Sequence, residues 1–199
     1  MNPVDRKTCA TGEIGAKPNL FVWDSETKEV ICKFKGVLTK GIISLSFSPS
    51  GKKLVGSAVD VDHYIAVFDV SKAPGAVIWT DKGGPDTIID LRWNTEDSWA
   101  TVGVKHFVLW TLNGKTIKQA KGAFGKACNK LSGIGVNGND IVCGASDGGV
   151  QIWTGNNLSR ELENHHKLSC DCIHISANYV LSGGRDGLII IFDKSYSVK

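Results

Sequence analysis

Ser182-Gly183-Gly184-Arg185-Asp186-Gly187-Leu188-Ile189-Ile190-Ile191-Phe192-Asp193 reads as a strand end, a tight turn, and a second, apolar strand closed by an aromatic residue and an acid. Asp-Gly between two β-rich runs is a strong hairpin signal, because both central residues of the favoured turn need positive φ. The run from Gly144 to Thr154 has the same design, with Asp147-Gly148 in the turn and Trp153 closing the strand. Weaker versions lie upstream: Leu20–Asp24 is closed by Trp23, Ile65–Asp69 by Phe68 and Phe107–Thr111 by Trp110.

The closing aromatics Trp23, Phe68, Trp110, Trp153 and Phe192 follow one another at 45, 42, 43 and 39 residues. A period of about 40–45 residues with a Trp-Asp-like ending is that of the WD40 repeat, one four-stranded propeller blade per repeat. Unrelated hairpins in a sandwich have no reason to keep that spacing. The expected blades are residues 8–35 (partial, with no sequence for an innermost strand), 42–82, 88–122, 131–163 and 168–199 (partial). Within them apolar and polar residues alternate, as at Ile43-Ser44-Leu45-Ser46-Phe47-Ser48, the period of a strand. Ser195–Lys199 is expected to begin the outer strand of the last blade. The sequence therefore predicts an all-β WD40-type propeller, an incomplete ring of about four to five blades belonging to a larger propeller, since such rings close with four to eight blades.

Composition narrows the class. Hydrophobic residues make up 42% and charged residues 22% of the 199, an ordinary globular balance. A formal charge of +3 is too small to argue for nucleic acid. No apolar run approaches the roughly 18 residues of a membrane span, and Met1–Lys7 lacks the apolar core of a signal peptide. Six cysteines without a C-x-x-C pair read as reduced thiols of an intracellular protein.

Candidate chemistry is sparse. Gly122-Ala123-Phe124-Gly125-Lys126 lacks the first glycine and the final Ser/Thr of a phosphate loop. Strand alternation would put Cys170, Cys172 and His174 on one face, near His165-His166, but the spacing fits no structural zinc site. Asp60 and Asp62 read as a solvated loop rather than a calcium site. No Ser/His/Asp or paired-carboxylate constellation stands out, so neither an enzyme nor a cofactor is expected. The residues singled out are structural. Trp23, Phe68, Trp110, Trp153 and Phe192 pack the blades, Asp24, Asp69 and Asp193 follow them, and Asp147-Gly148 and Asp186-Gly187 make tight turns with the acids accepting backbone N–H groups. In WD repeats the turn Asp often joins a His and a Ser/Thr in a buried network. With no Gly-His dipeptide here, that network is expected to be incomplete. Lysines such as Lys33, Lys53, Lys118 and Lys126 offer contacts to an acidic partner.

The segment Cys9–Pro18, followed by Leu20-Phe21-Val22-Trp23-Asp24-Ser25, resembles the "ATGQ…P…IWD" blade of the echinoderm microtubule-associated protein-like (EMAP-like) family. Gly36–Phe47 resembles that family's "G…GV..L.FS" strand, Lys121–Lys126 its "KQGVFGK" segment and Leu181–Asp186 its "LSGGGRD". The matches run in the family's order over nearly the whole chain. The resemblance implies blades of the first propeller of a tandem pair, in a cytoplasmic, cytoskeletal protein of microtubules or axonemes. It also implies a non-catalytic scaffold whose partners are tubulin or other cytoskeletal proteins. The remaining blades would come from the same or another chain, and neither nucleic acid nor membrane is expected as a partner. The other reading is a generic WD40 adaptor in another complex.

Overall fold

The structure, a computed structural model, describes residues 1–162 and 165–199. Its described residues form 18 short strands and no helix. Blade 1 has three strands, β1 (Thr8–Gly12), β2 (Asn19–Asp24) and β3 (Val30–Lys35). Blade 2 has β4 (Ile42–Phe47), β5 (Lys53–Ala58), β6 (Tyr64–Asp69) and β7 (Ala76–Lys82). Blade 3 has β8 (Ile88–Thr95), β9 (Ser98–Gly103), β10 (His106–Asn113) and β11 (Thr116–Lys121). Blade 4 has β12 (Leu131–Asn137), β13 (Asp140–Ala145), β14 (Val150–Thr154) and β15 (Asn157–Leu162). Blade 5 has β16 (Cys170–Ile175), β17 (Tyr179–Gly184) and β18 (Ile189–Asp193).

Every sheet is an antiparallel meander. In blades 2 to 4 the strands take positions a to d, from the propeller axis outward. Blade 1 supplies b, c and d, with no strand at a among the described residues. Blade 5 supplies a, b and c, and a single bridge from Val198 to Phe192, with the Lys199 amide donating to Ile191, starts its outer edge. The a strands β4, β8, β12 and β16 lie side by side in chain order. The five sheets form an arc, and the ring is not closed. The expected residue 163 of blade 4 lies outside the described residues.

Apolar side chains on alternate positions bury between successive sheets. Leu20, Val22, Phe34, Leu54 and Phe68 fill the first interface, and Val55, Val67, Trp93, Trp99 and Trp110 the second. Val102, Phe107, Ile134, Ile141 and Trp153 fill the third, and Val142, Ile152, Val180 and Phe192 the fourth. Each closing aromatic from Phe68 onward therefore packs against the blade before its own. Trp153 lies flat on Phe107 with ring centres 4.0 Å apart, and Phe34 meets Phe68 at 4.5 Å. A side chain of this kind contributes about 1.5–3 kcal/mol by leaving water. Trp23 is only half-buried, since no described sheet precedes it. At the opposite end of the arc Ile189 and Ile191 stay 71% and 39% exposed, because no described sheet follows them.

The two Asp-Gly turns differ in tolerance. Gly148 has φ 91° and Gly187 φ 80°, a region that β-branched residues resist. A Cβ on Gly187 would meet nothing within 4 Å, whereas one on Gly148 would stand 2.1 Å from the His166 carbonyl oxygen. Gly187→Val should cost only the backbone strain, about 1–3 kcal/mol. Gly148→Val should cost more, because the β13–β14 turn must also move away from the loop carrying His166. Thermal melts of the two variants check the order; equal losses would contradict the contact.

Candidate partner-binding face

On one face of the arc lie the loops joining strand d of each blade to strand a of the next, together with the b–c turns. The a strands reach this face through a repeated irregularity. In β4 the pairing passes from Ile42–Ala58 to Ser44–Ser57, leaving Ile43 over. In β8 it skips Ile89, in β12 one of Ser132 and Gly133, and in β16 Asp171. Each is a β-bulge, which sets an extra, unpaired residue on the strand and re-aims its side chain. Strand alternation in the sequence does not reveal these bulges. The shift also separates Cys170, which is buried, from Cys172 and His174, which are exposed. The expectation that the three share a face is thereby corrected.

The bulge residues Ile89 and Asp171, with Ser132 from the bulge of β12, line one open groove of about 890 Å³ across blades 3 to 5. Lys130 and Lys167, from the loops before β12 and β16, stand on its rim with Arg185 from the β17–β18 turn. The Arg185 Nε donates to Asp171 Oδ2 at 2.5 Å, holding that carboxyl below its ordinary range. Lys130 and Lys167 are exposed and form no ion pair among the described residues. Leu168, 56% exposed, and Ile89 add apolar surface, and Ser146, Ser169 and Asp147 complete the lining. Next to Ile89 in β8, Asp90 accepts the Ser44 hydroxyl at 2.7 Å and the Leu91 amide at 2.8 Å. Burial pushes its carboxyl up, against the pull of those donors.

Polar groups beneath the closing aromatics hold the turns of this face. In blade 5 the His166 Nε2 meets Ser182 Oγ at 2.8 Å, and Nδ1 meets Asp186 Oδ1 at 3.1 Å. Asp186 also accepts the amides of Lys167 and Leu188. The expectation of an incomplete network is thus corrected for this blade. His166 supplies the imidazole from the loop before β16 although His165, not glycine, precedes it. Phe192 occupies the aromatic position and has no N–H to contribute. In blade 3 the Trp110 Nε1 donates to Thr101 Oγ1 at 2.8 Å, and Thr101 pairs with His106 Nε2 at 2.7 Å. In blade 4 the Trp153 Nε1 donates to Gln151 Oε1, whose amide donates in turn to the Cys128 carbonyl. Among the described residues Asp147 accepts only the Gly149 amide, at 3.0 Å.

Asp60 is buried rather than solvated. It accepts the Thr39 hydroxyl and the Tyr64 amide, while Asp62 pairs with Lys82 at 3.0 Å. On the opposite face Asp24 accepts the amides of Glu26 and Thr27, Asp69 the amide and hydroxyl of Ser71, and Asp193 those of Ser195. These acids brace the c–d turns and are remote from the groove. The Gly122–Lys126 segment is a d–a loop anchored by Phe124, whose ring meets Trp153 edge-on at 5.3 Å.

Comparison with known proteins places this geometry. The pattern of the family described as WD domain, G-beta repeat matches residues 28–69 and 156–193. The ciliary WD repeat-containing protein ctxp80 of Euplotoides octocarinatus is 33% identical over 94% of this chain and 27% of its own length. Echinoderm microtubule-associated protein-like 2 of Mus musculus is 26% identical over 97% of this chain and 32% of its own. The chain thus spans about a quarter to a third of the length of these curated relatives. Among solved structures, the β-propeller domain of Myceliophteria thermophila Cps50 (Swd1) superposes with a TM-score of 0.73 at 17% identity, over 94% of this chain and 65% of that one. The computationally designed Ika4 protein superposes with a TM-score of 0.60 at 20% identity, over 76% of this chain and 90% of its own. These matches give the chain the WD40-type β-propeller fold, with the WD domain, G-beta repeat recognised over residues 28–69 and 156–193.

Burial pulls the His106 imidazole down to about 4, with His63 and Lys121 adding to the fall and Asp86 opposing it. The folded state therefore resists protonating a group that titrates near 6.5 when unfolded. Stability should be full above about pH 6.5 and fall as pH drops toward 4, by up to about 3 kcal/mol from this residue. Melting temperatures of the wild type and His106→Gln between pH 7 and 4 test this. The variant should lose part of the slope, and an unchanged slope would remove His106 from the account.

Proposed function

We propose that this chain is part of a non-catalytic, microtubule-associated scaffold of the EMAP-like kind, whose groove-bearing face takes tubulin or another cytoskeletal or axonemal protein. The observation that carries the reading is the alignment of 94–97% of the chain with a protein named for cilia and another named for microtubules. The unpaired Lys130 and Lys167 beside a groove support it, since a basic rim favours an acidic partner. Location in the cytoplasm, on microtubules or in the axoneme, follows from the same reading.

Co-sedimentation of the intact protein with polymerised tubulin tests it. Exposed charges attract over a Debye length of about 8 Å at 0.15 M salt and about 30 Å at 0.01 M. The protein should therefore pellet with microtubules at low salt and progressively less as salt rises. No binding at low salt would favour the generic adaptor reading.

A further inference from the structure

We propose that the groove across blades 3 to 5 binds a short, extended acidic peptide carrying one apolar anchor residue. This rests on reading the groove-bearing face as the binding face, not on the partner being cytoskeletal. Three observations specify the ligand. The cations Lys130, Lys167 and Arg185 come from three different loops; Arg185 is paired with Asp171, which leaves Lys130 before β12 and Lys167 before β16 as lining cations without an ion pair among the described residues. Two such cations carried by loops of two different blades suit carboxylates on one extended chain. Leu168 and Ile89 lie among them, so an apolar side chain can bury where the charges leave room. The volume, about 890 Å³, is within the roughly 300–1,000 Å³ of a small-ligand cleft, room for a peptide segment and not for a folded element.

The same lining argues against nucleic acid. None of its residues is aromatic, so it offers no ring for a base to stack on. Asp147 and Asp171 would meet a continuous phosphate backbone with like charge, whereas a peptide can place its acids selectively. Asp171 is compensated by Arg185, and Asp147 has no cationic partner among the described residues. The peptide is therefore expected to present a neutral or donor residue at Asp147 and carboxylates at Lys130 and Lys167.

Fluorescence anisotropy of the intact protein with a labelled Glu-rich peptide built around a single Leu tests the proposal. Controls replace its Glu with Gln or its Leu with Ser, and a short DNA strand of equal charge serves as a competing polyanion. Lys130→Glu with Lys167→Glu should weaken the acidic peptide about tenfold or more and flatten its salt dependence, summing two reversed rim contacts. Leu168→Ser should weaken it without changing that dependence. Both sites are exposed, so an unchanged melt shows that the fold is intact. Equal binding of the Gln peptide or of the DNA, or no effect of the lysine reversals, would overturn the proposal. If the peptide binds through these lysines and microtubules do not co-sediment, the groove stands and the cytoskeletal reading falls. If microtubules bind through the same lysines and the peptide does not, the extended-peptide inference falls.

Discussion

Burial of both faces of each blade is the constraint on which the rest of this structure depends. A sheet with only one covered face can alternate apolar and polar residues, but an interior propeller blade is covered on both sides. In β6 the four residues Ile65, Ala66, Val67 and Phe68 are all buried: Ala66 and Phe68 face blade 1, while Ile65 and Val67 face blade 3. Such a strand gains stability only when both neighbours are in place. The same requirement explains the ends of the arc, where Trp23 is half covered and Ile189 and Ile191 stand in the open.

That constraint acts locally along the chain, which is why so much of the fold is legible in the sequence. The closing aromatics, the Asp-Gly turns and the apolar strands each lie within a dozen residues and recur at one period. What the sequence hides depends on register or on distance. The bulge residues Ile43, Ile89 and Asp171 look like ordinary members of alternating strands until the partner strand is known. His166 joins Ser182 and Asp186 across 16 and 20 residues, and a search for Gly-His passes over it. Asp60 looks solvated because its loop is acidic, yet Thr39 from the preceding d–a loop covers it. The groove itself combines loops of three blades, so no single motif announces it.

The polar groups beneath the aromatics show how loosely the repeat must be kept. The residue paired with the position two before the closing aromatic is Gly56 in blade 2, Thr101 in blade 3, Cys143 in blade 4 and Ser182 in blade 5. Where a hydroxyl is present, an imidazole reaches it, from β10 in blade 3 and from the preceding loop in blade 5. Where Cys143 stands there, Gln151 across the ladder takes the indole N–H instead. Gly56 offers no polar side chain, and the aromatic above it is Phe68, which has no donor to satisfy. A buried donor left unpaired costs about 1–3 kcal/mol, and the closing indoles of blades 3 and 4 avoid that cost through different partners, while the Trp93 and Trp99 indole N–H groups find none among the described residues.

This division of labour frees the groove-bearing face to carry specificity. The aromatic, its polar partner and the turn glycine answer to packing and vary only within what packing allows. The bulge residue does not share that burden, because it is unpaired in the ladder, and at 89, 132 and 171 the bulges line the groove. Isoleucine at 43 and 89, serine or glycine at 132–133 and aspartate at 171 differ far more in chemistry than the residues buried behind them. Moving from blade 2 to blade 5, the face changes from apolar to charged while the sheets beneath keep one plan. A partner that reads this face therefore reads the positions where the repeat is least constrained, and a change of partner need not disturb the fold.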